Sequence, residues 1–408
     1  MNYTEALDWL YSTQFFGIKL GLDGPRRLLR EYLAFPPRST KVIHVAGTNG
    51  KGSTCAFIDS VARATGVRTG LFTSPHLIDY SERIRVSGVE IEREEIAVHL
   101  SALRELVEQW DPHPTFFELS LVLAMKHFSE RQCELVILET GMGGRLDATS
   151  AVPADIAVLT PIGMDHQEWL GETLTEIATE KAAIIVPAKN VVSSNQLPEA
   201  EAIIRQVANE RRAPLTFIEE PLEGYALGLT GKHQQENAAL ALEALHAAGI
   251  TLNYETVKAG LSSTQWPGRF ERLDPSAGEH SSAIVLDIAH NPAAARALTE
   301  NWLTEFGKTK AHLILGAVEA KDIEGILEAL LPIAEHLHFV PVNSPRALPP
   351  DDLATFLPEK APPFTIHGTL QSALESPKSH PALITGSSFL IGEVKALHEE
   401  ASHRVTTQ

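Results

Sequence analysis

Residues 41–54 read KVIHVAGTNGKGST, and no other stretch limits the possible folds as tightly. The β-branched run KVIHVA stops at Gly47, and STCAFIDSVARATG follows as a helix with Gly66 as its natural stop. A buried strand, a glycine loop and a helix in that order make a cradle for an anion. Backbone N–H groups of Gly50, Lys51 and Gly52 reach phosphate oxygens closely because little side chain stands in the way. Ser53 and Thr54 open the helix, where its dipole favours negative charge. Lys51 adds a full positive charge for terminal phosphates, and the Ser53 hydroxyl is a ligand for Mg²⁺. The spacing is not the usual phosphate-loop spacing, because only Thr48 and Asn49 separate Gly47 from Gly50, and Gly52 stands between Lys51 and Ser53.

Around this loop, strands alternate with helices. CELVILE, DIAVLT and NVVSS read as strands, and TFFELSLVLAMKHF and TLTEIATEKAAIIV as helices, which predicts a parallel sheet covered on both faces. The pattern restarts after TQWPGRFERLDPSAGEHSS, a Pro-, Gly- and Ser-rich junction. Beyond it AIVLDIAHN, AHLILGA, LHFVPV, FTIHG and ALITG each read as a strand followed by a helix. The expected fold is therefore α/β: a larger N-terminal P-loop ATPase-like domain over residues 1–273 with a parallel-rich sheet, and a smaller Rossmann-like doubly wound domain over 282–408. The chain of 408 residues suits two or three domains. Its formal charge of −18, with no long basic run, excludes a general nucleic-acid binder. No stretch of eighteen apolar residues spans a membrane, and no basic-then-apolar leader opens the chain. Two cysteines, Cys55 and Cys133, cannot build a disulfide framework, so a cytoplasmic setting is expected.

A phosphate cradle needs a carboxylate for its magnesium. LVILETGMGG places Glu139 at a strand's C-terminal end, where ligands sit in parallel sheets. Asp165 and His166 follow the next strand, but His with Asp is a weak metal signal and Mg²⁺ prefers oxygen.

Together these residues resemble the folylpolyglutamate synthase/dihydrofolate synthase family, within the ATP-dependent Mur-type peptide ligases. The resemblance rests on HVAGTNGKGST, TSPHLIDYSERI, ETGMGGRLDAT, GMDHQEWLGETLTEIATEKAAII, GKHQQENAALALEAL, WPGRFE, LDIAHNP and TGSSFLIGEV, in that order over residues 44–394. GTNGKGS is common to the wider superfamily, whereas TSPHL, GMGGRLDAT and GKHQQEN are more specific to the folate branch. The resemblance implies ATP as co-substrate, two Mg²⁺ sites, an acyl-phosphate intermediate and attack by the amine of L-glutamate. It implies that Thr48, Asn49, Gly50, Lys51 and Gly52 wrap the ATP phosphates. Ser53, Ser74 and Glu139 would hold one Mg²⁺; Glu139, His166 and a carbamylated Lys181 would hold the other. Asn237 and Arg269 would contact ATP, Asp287 would do so from the smaller domain, and His290 would position substrate across the cleft. Lys19, Leu20, Gly21 and Leu22, with Thr115, Phe116, Phe117, Glu118, Leu146, Asp147 and Ala148, match the segments that hold the pterin. Departures from the family pattern at Ser150, Ala183, Val186 and Ile288 remove no phosphate or metal group.

Dihydropteroate or a reduced folate, L-glutamate and ATP are thus the expected partners of a monomer. Two other readings compete. A cell-wall Mur ligase carries a whole UDP-binding domain before its ATP loop, and the forty-odd residues ahead of Gly47 cannot form one. A nucleotide-dependent regulatory protein needs the loop but not a second magnesium group or LDIAHNP.

Overall fold

A computed structural model describes residues 1–16, 21–273, 283–376 and 380–398. Eight strands form the first sheet: β1 Lys41–Ala46, β2 Thr69–Phe72, β3 Ile84–Val86, β4 Val89–Glu90, β5 Leu135–Glu139, β6 Ile156–Leu159, β7 Asn190–Ser194 and β8 Leu215–Ile218, in the order β4-β3-β2-β5-β1-β6-β7-β8. All neighbours are parallel except β2 with β3 and β3 with β4. The unbroken apolar runs follow from burial on both faces. In β5, Val136 and Leu138 enter one core with the helices Tyr3–Ser12, Arg93–Val107 and Phe116–Glu130, while Leu135 and Ile137 enter another under Lys51–Ala64 and Lys232–Ala247. This is the two-residue period of a strand.

The second sheet holds β9 Glu271–Leu273, β10 Ile284–Leu286, β11 Ala311–Leu315, β12 Ala334–Phe339, β13 Phe364–Ile366 and β14 Ala382–Thr385, in the order β13-β12-β11-β14-β10-β9. Only β9 runs antiparallel, pairing Leu273 with Ile284 and Glu271 with Leu286. This corrects the expected limit of the first domain at residue 273, because residues 271–273 already belong to the second sheet. Composition marks the Pro-, Gly- and Ser-rich junction, whereas the hydrogen-bond ladder marks the unit. Among the described residues, no helix is long and apolar enough to cross a membrane. Cys55 and Cys133 are free and buried.

The helix Lys51–Ala64 is buried along most of its length, and the helix Tyr254–Ser263 crosses it at Gly260, where an added Cβ would lie 2.5 Å from Val61 Cα. The Gly260 carbonyl accepts from Ser60 Oγ at 2.7 Å. Backbone contact of this closeness fixes the axis of the helix that starts at the phosphate loop.

In β1, His44 is buried with Nε2 2.6 Å from Thr149 Oγ1, and burial pushes its pKa down to about 3. The unfolded chain therefore takes up a proton at His44 below about pH 6.5 that the folded chain refuses. Stability falls as pH drops through that window. His44→Gln should flatten the slope of unfolding free energy between about pH 6 and pH 4 by up to ~1.4 kcal/mol per pH unit in urea titrations. An unchanged slope would show that His44 is not buried neutral.

Candidate active site

The loop after β1 is flanked by β5 and β6, so the C-terminal ends of three parallel strands converge. Val45 pairs with Glu139 and Ala46 with Leu159. This placement puts Glu139 on one side of the loop and residues 160–166 on the other. Gly50 has φ +87°, and an added Cβ would sit 2.5 Å from Asn237 Oδ1. Glycine is required there on both counts. Asn237 is buried, takes Thr54 Oγ1 at 3.3 Å, and gives Nδ2 to Gln234 Oε1 at 3.0 Å.

Two lysines meet at one atom. Lys51 Nζ donates to the Gly47 carbonyl at 3.0 Å and to Thr48 O at 3.2 Å. Lys181 Nζ, from the helix Leu174–Ala182, donates to the same Gly47 oxygen at 2.9 Å. Lys181 is 4% exposed, and burial, with the charge of Lys51 second, pushes its pKa down to about 7.

Glu139 is buried, and one carboxylate oxygen accepts the Ser74 N–H at 3.1 Å. Burial raises its pKa, against the lowering pull of Lys51. The adjacent Thr140 Oγ1 is buried with no hydrogen-bond partner among the described residues. Ser53 Oγ is buried and receives Gln234 Nε2 at 3.3 Å. Among the described residues no three His, Cys, Asp or Glu side chains converge as a metal cage. One hard carboxylate with hydroxyls and phosphates nearby is nonetheless the donor set Mg²⁺ takes with a nucleotide, so the residues fit that ion. His166, with φ +53°, is exposed, and its Nε2 lies 3.9 Å from Asp165 Oδ2.

A cavity of about 380 Å³ joins these groups. Thr48, Asn49, Gly50, Lys51, Gly52, Ser53, Ser74, Glu139, His166, Lys181, Asn237, Arg269, Asp287 and His290 all line it. Its walls come from both units. Asp287 is half-buried and accepts N–H groups from Phe270 at 2.9 Å and Ala289 at 2.9 Å, while Asn291 caps the helix Pro292–Phe306.

The pterin-matching residues lie elsewhere. Lys19 and Leu20 fall outside the described residues. Gly21, Leu22, Thr115, Phe116, Phe117, Glu118, Leu146, Asp147 and Ala148 do not line the nucleotide-side cavity. Thr115 and Glu118 form the capping box of the helix Phe116–Glu130, and Gly24 approaches Glu118. Asp147 is buried, takes N–H groups from Met142 at 2.9 Å and Thr149 at 3.0 Å, and bonds the Thr149 hydroxyl.

Sequence reasoning missed the contacts that bridge the two units. Asn49 and Asn291 exchange amide hydrogen bonds of 3.3 and 2.9 Å. Asp165 pairs with Lys321 Nζ at 2.6 Å and with His290 Nε2 at 3.4 Å. Burial alone would raise the Asp165 carboxyl, but the His290 hydrogen bond and charge and the Lys321 ammonium hold it well below the usual carboxylate range. The available signal for Lys321 was its place just beyond β11, at a strand's C-terminal end.

This architecture is that of the Mur-type ligases. Residues 45–220 match the Mur ligase middle domain, and residues 268–379 match the Mur ligase glutamate ligase domain. The chain is 34% identical to the dihydrofolate synthase/folylpolyglutamate synthase of Bacillus subtilis, over 96% of this chain and 98% of that protein. Mycobacterium tuberculosis folylpolyglutamate synthase complexed with ADP superposes with a TM-score of 0.87 at 29% identity, over 97% of this chain and 99% of that one. A bifunctional folylpolyglutamate synthase/dihydrofolate synthase with Mn, AMPPNP and L-glutamate bound gives 0.84 at 31% identity, over 98% and 99%. The chain belongs to the dihydrofolate synthase/folylpolyglutamate synthase family.

The Asp165–Lys321 pair is largely buried, so removing one partner leaves an uncompensated charge. Lys321→Ala should raise the radius of gyration of the ligand-free protein in small-angle scattering, and Asp165→Asn combined with it should restore part of the compaction. A scattering profile unchanged by Lys321→Ala would mean that the pair does not hold the units together.

Proposed function

We propose that the chain is an ATP-dependent ligase that joins L-glutamate to the carboxylate of dihydropteroate, of reduced folates, or of both. The observation that carries this reading is the convergence of Lys51 and Lys181 on the Gly47 carbonyl, beside a glycine loop at a helix N-terminus. Burial and the Lys51 charge push the Lys181 amine toward its neutral form, and a polyphosphate at the loop would meet the Lys51 ammonium. The two relatives that bind ADP, and Mn with AMPPNP and L-glutamate, support the same assignment.

A carboxylate is a poor acyl donor because its leaving group would be oxide. In the proposed reaction its oxygen attacks the γ-phosphorus, the bond to the bridging oxygen breaks, and ADP leaves. The amine of L-glutamate then attacks the acyl carbon, phosphate departs, and the nitrogen loses a proton. Loop N–H groups and Lys51 hold the phosphates through the charge build-up of the first step. Ser53, Ser74 and Glu139 would hold a divalent cation, which supplies charge neutralisation to the phosphates. Asn237, Arg269 and Asp287 bind the nucleotide from either side of the cleft. His290, already fixed on Asp165, positions substrate from the smaller unit. In this reading Lys181 is carbamylated and, with Glu139 and His166, would hold a second cation. Gly21, Leu22, Thr115–Glu118 and Leu146–Ala148 hold the pterin end.

The direct test is glutamate-dependent ADP release, measured with dihydropteroate and with tetrahydrofolate. Release with one or both is expected, and a UDP-sugar peptide should give none. Lys51→Ala should lower kcat by about a thousandfold while leaving the thermal unfolding profile intact. Wild-type turnover in that variant would remove the loop from the mechanism.

Lys181 can be tested apart from the loop. Its amine, buried and already near the neutral form at physiological pH, has the state that captures CO₂. Lys181→Ala should be nearly inactive, and formate or acetate should restore part of the rate by supplying the lost oxygen ligand. Full activity without added carboxylate would refute the carbamate.

A further inference from the structure

Arg83 is fully buried at the end of the short 3₁₀ turn Tyr80–Arg83, just before β3, yet its Nη1 and Nη2 have no hydrogen-bond partner among the described residues. Among the described residues no carboxylate forms an ion pair with it, and the charges of Glu82 and Glu139 act on it only from further off. Nε donates to His76 Nδ1 at 2.7 Å, and that nitrogen, as an acceptor, marks His76 as uncharged. The guanidinium lies 5.1 Å from the centre of the Phe116 ring, whose face offers only a weak counterpart to a full charge. Glu82, its chain neighbour, turns its carboxylate to the N–H groups of Leu77, Ile78 and Asp79. Burial is the main influence on Arg83 and pulls its pKa down, the direction of a charge that lacks compensation. A buried guanidinium with empty donors is unfavourable, and proteins keep such groups where a ligand completes them.

The place of this residue in the fold says which ligand. The Arg83 carbonyl accepts the N–H of Thr73, which lines the nucleotide-side cavity next to Ser74 and Glu139. Its guanidinium stands by the Phe116 ring, in the segment that matches the pterin-holding part of the family, and feels the charge of Glu139 on the cavity wall. It thus stands between the phosphate cavity and the pterin-matching elements. The reaction must bring a carboxylate anion up to a polyphosphate anion, and a fixed cation on the acid's side offsets that repulsion. The planar fork of arginine suits a carboxylate.

We propose that Arg83 binds the carboxylate of the acid substrate through its Nη1 and Nη2 donors, selecting acids and orienting the oxygen that is phosphorylated. The assignment rests on the folate-ligase reading above, and the test separates the two.

Binding of dihydropteroate and of the same compound lacking its carboxylate is measured by calorimetry on the full chain with a non-hydrolysable ATP analogue present. Wild type should bind the acid on the order of a hundredfold more tightly than the descarboxy compound. Arg83→Met should shrink that ratio below about threefold, because the carboxylate has lost its partner, with little change in affinity for the descarboxy compound. The same variant should unfold at an unchanged or higher temperature without ligand, since it removes an uncompensated charge; a structural role would lower it. Should Arg83→Met not fold, Arg83→Lys keeps the charge and stem and should still reduce the ratio about tenfold. A ratio unchanged in either variant overturns the proposal, as does a rise confined to the KM for L-glutamate, which would assign Arg83 to the incoming amino acid. Failure of wild type to bind either pteridine overturns the folate reading itself.

Discussion

The Gly47 carbonyl oxygen, with two lysine Nζ atoms donating to it, is the interaction around which the rest is arranged. Lys51 reaches it from the loop that follows β1, and Lys181 from a helix that begins more than a hundred residues later. Bringing both there needs β1 in the middle of the sheet, with β5 and β6 as its neighbours. One carbonyl dipole cannot balance two ammonium groups, and burial with the Lys51 charge pushes the Lys181 amine toward its neutral form. A polyphosphate held at the loop would meet the Lys51 charge that the carbonyl leaves unbalanced. Glu139 shows the matching imbalance: a buried carboxylate with one backbone N–H and an unpartnered hydroxyl beside it. Glu139 forms no ion pair with either lysine among the described residues, and such a donor set would suit a polyphosphate with its divalent ion.

Neither sheet makes this site alone. The loop amide of Asn49 is paired with Asn291, and Asp165 is gripped by His290 and Lys321 from the second unit. These contacts carry their own compensation, since each donor meets an acceptor and each charge a partner. They define how closely the units approach, and so how much water the cleft admits. An acyl phosphate is hydrolysed by water, and a ligase that forms one benefits from a closed cleft at the moment of transfer.

Much of the first sheet was legible in the sequence because its strands are continuous apolar runs that stop at the residues carrying the chemistry. KVIHVA ends at Gly47 and LVILE ends on Glu139, so one signal located both the strands and their functional ends. The strand Glu271–Leu273 was not legible as part of the second unit: ERL has a strand's charge-rich surface but too short a run, and only its pairing with β10 assigns it. The Asp165–Lys321 pair was equally hidden. Its partners lie 156 positions apart, and no local pattern encodes which strand ends face each other across two sheets. Arg83 was hidden for another reason. In YSERIRV it looks like one of two surface arginines around a short strand, and only burial separates it from Arg85, which pairs with Glu90.

Hydrogen-bond accounting also divides the residues that resemblance groups together as a substrate site. Asp147 spends both oxygens on Met142 and Thr149, and Glu118 is taken by the Thr115 N–H at 2.6 Å. These two buried carboxylates shape a turn and a helix start, and lone pairs so engaged have little left for a pterin's donors. The Phe116 and Phe117 rings belong to one core cluster, with Phe117 packed against Phe72. Arg83 differs because its unmet donors are the side chain's own, and no turn or cap consumes them. The same criterion that sets Lys51 and Lys181 apart from Lys321 therefore sets Arg83 apart from Asp147: a buried polar group already satisfied builds the frame, and one left short awaits the substrate.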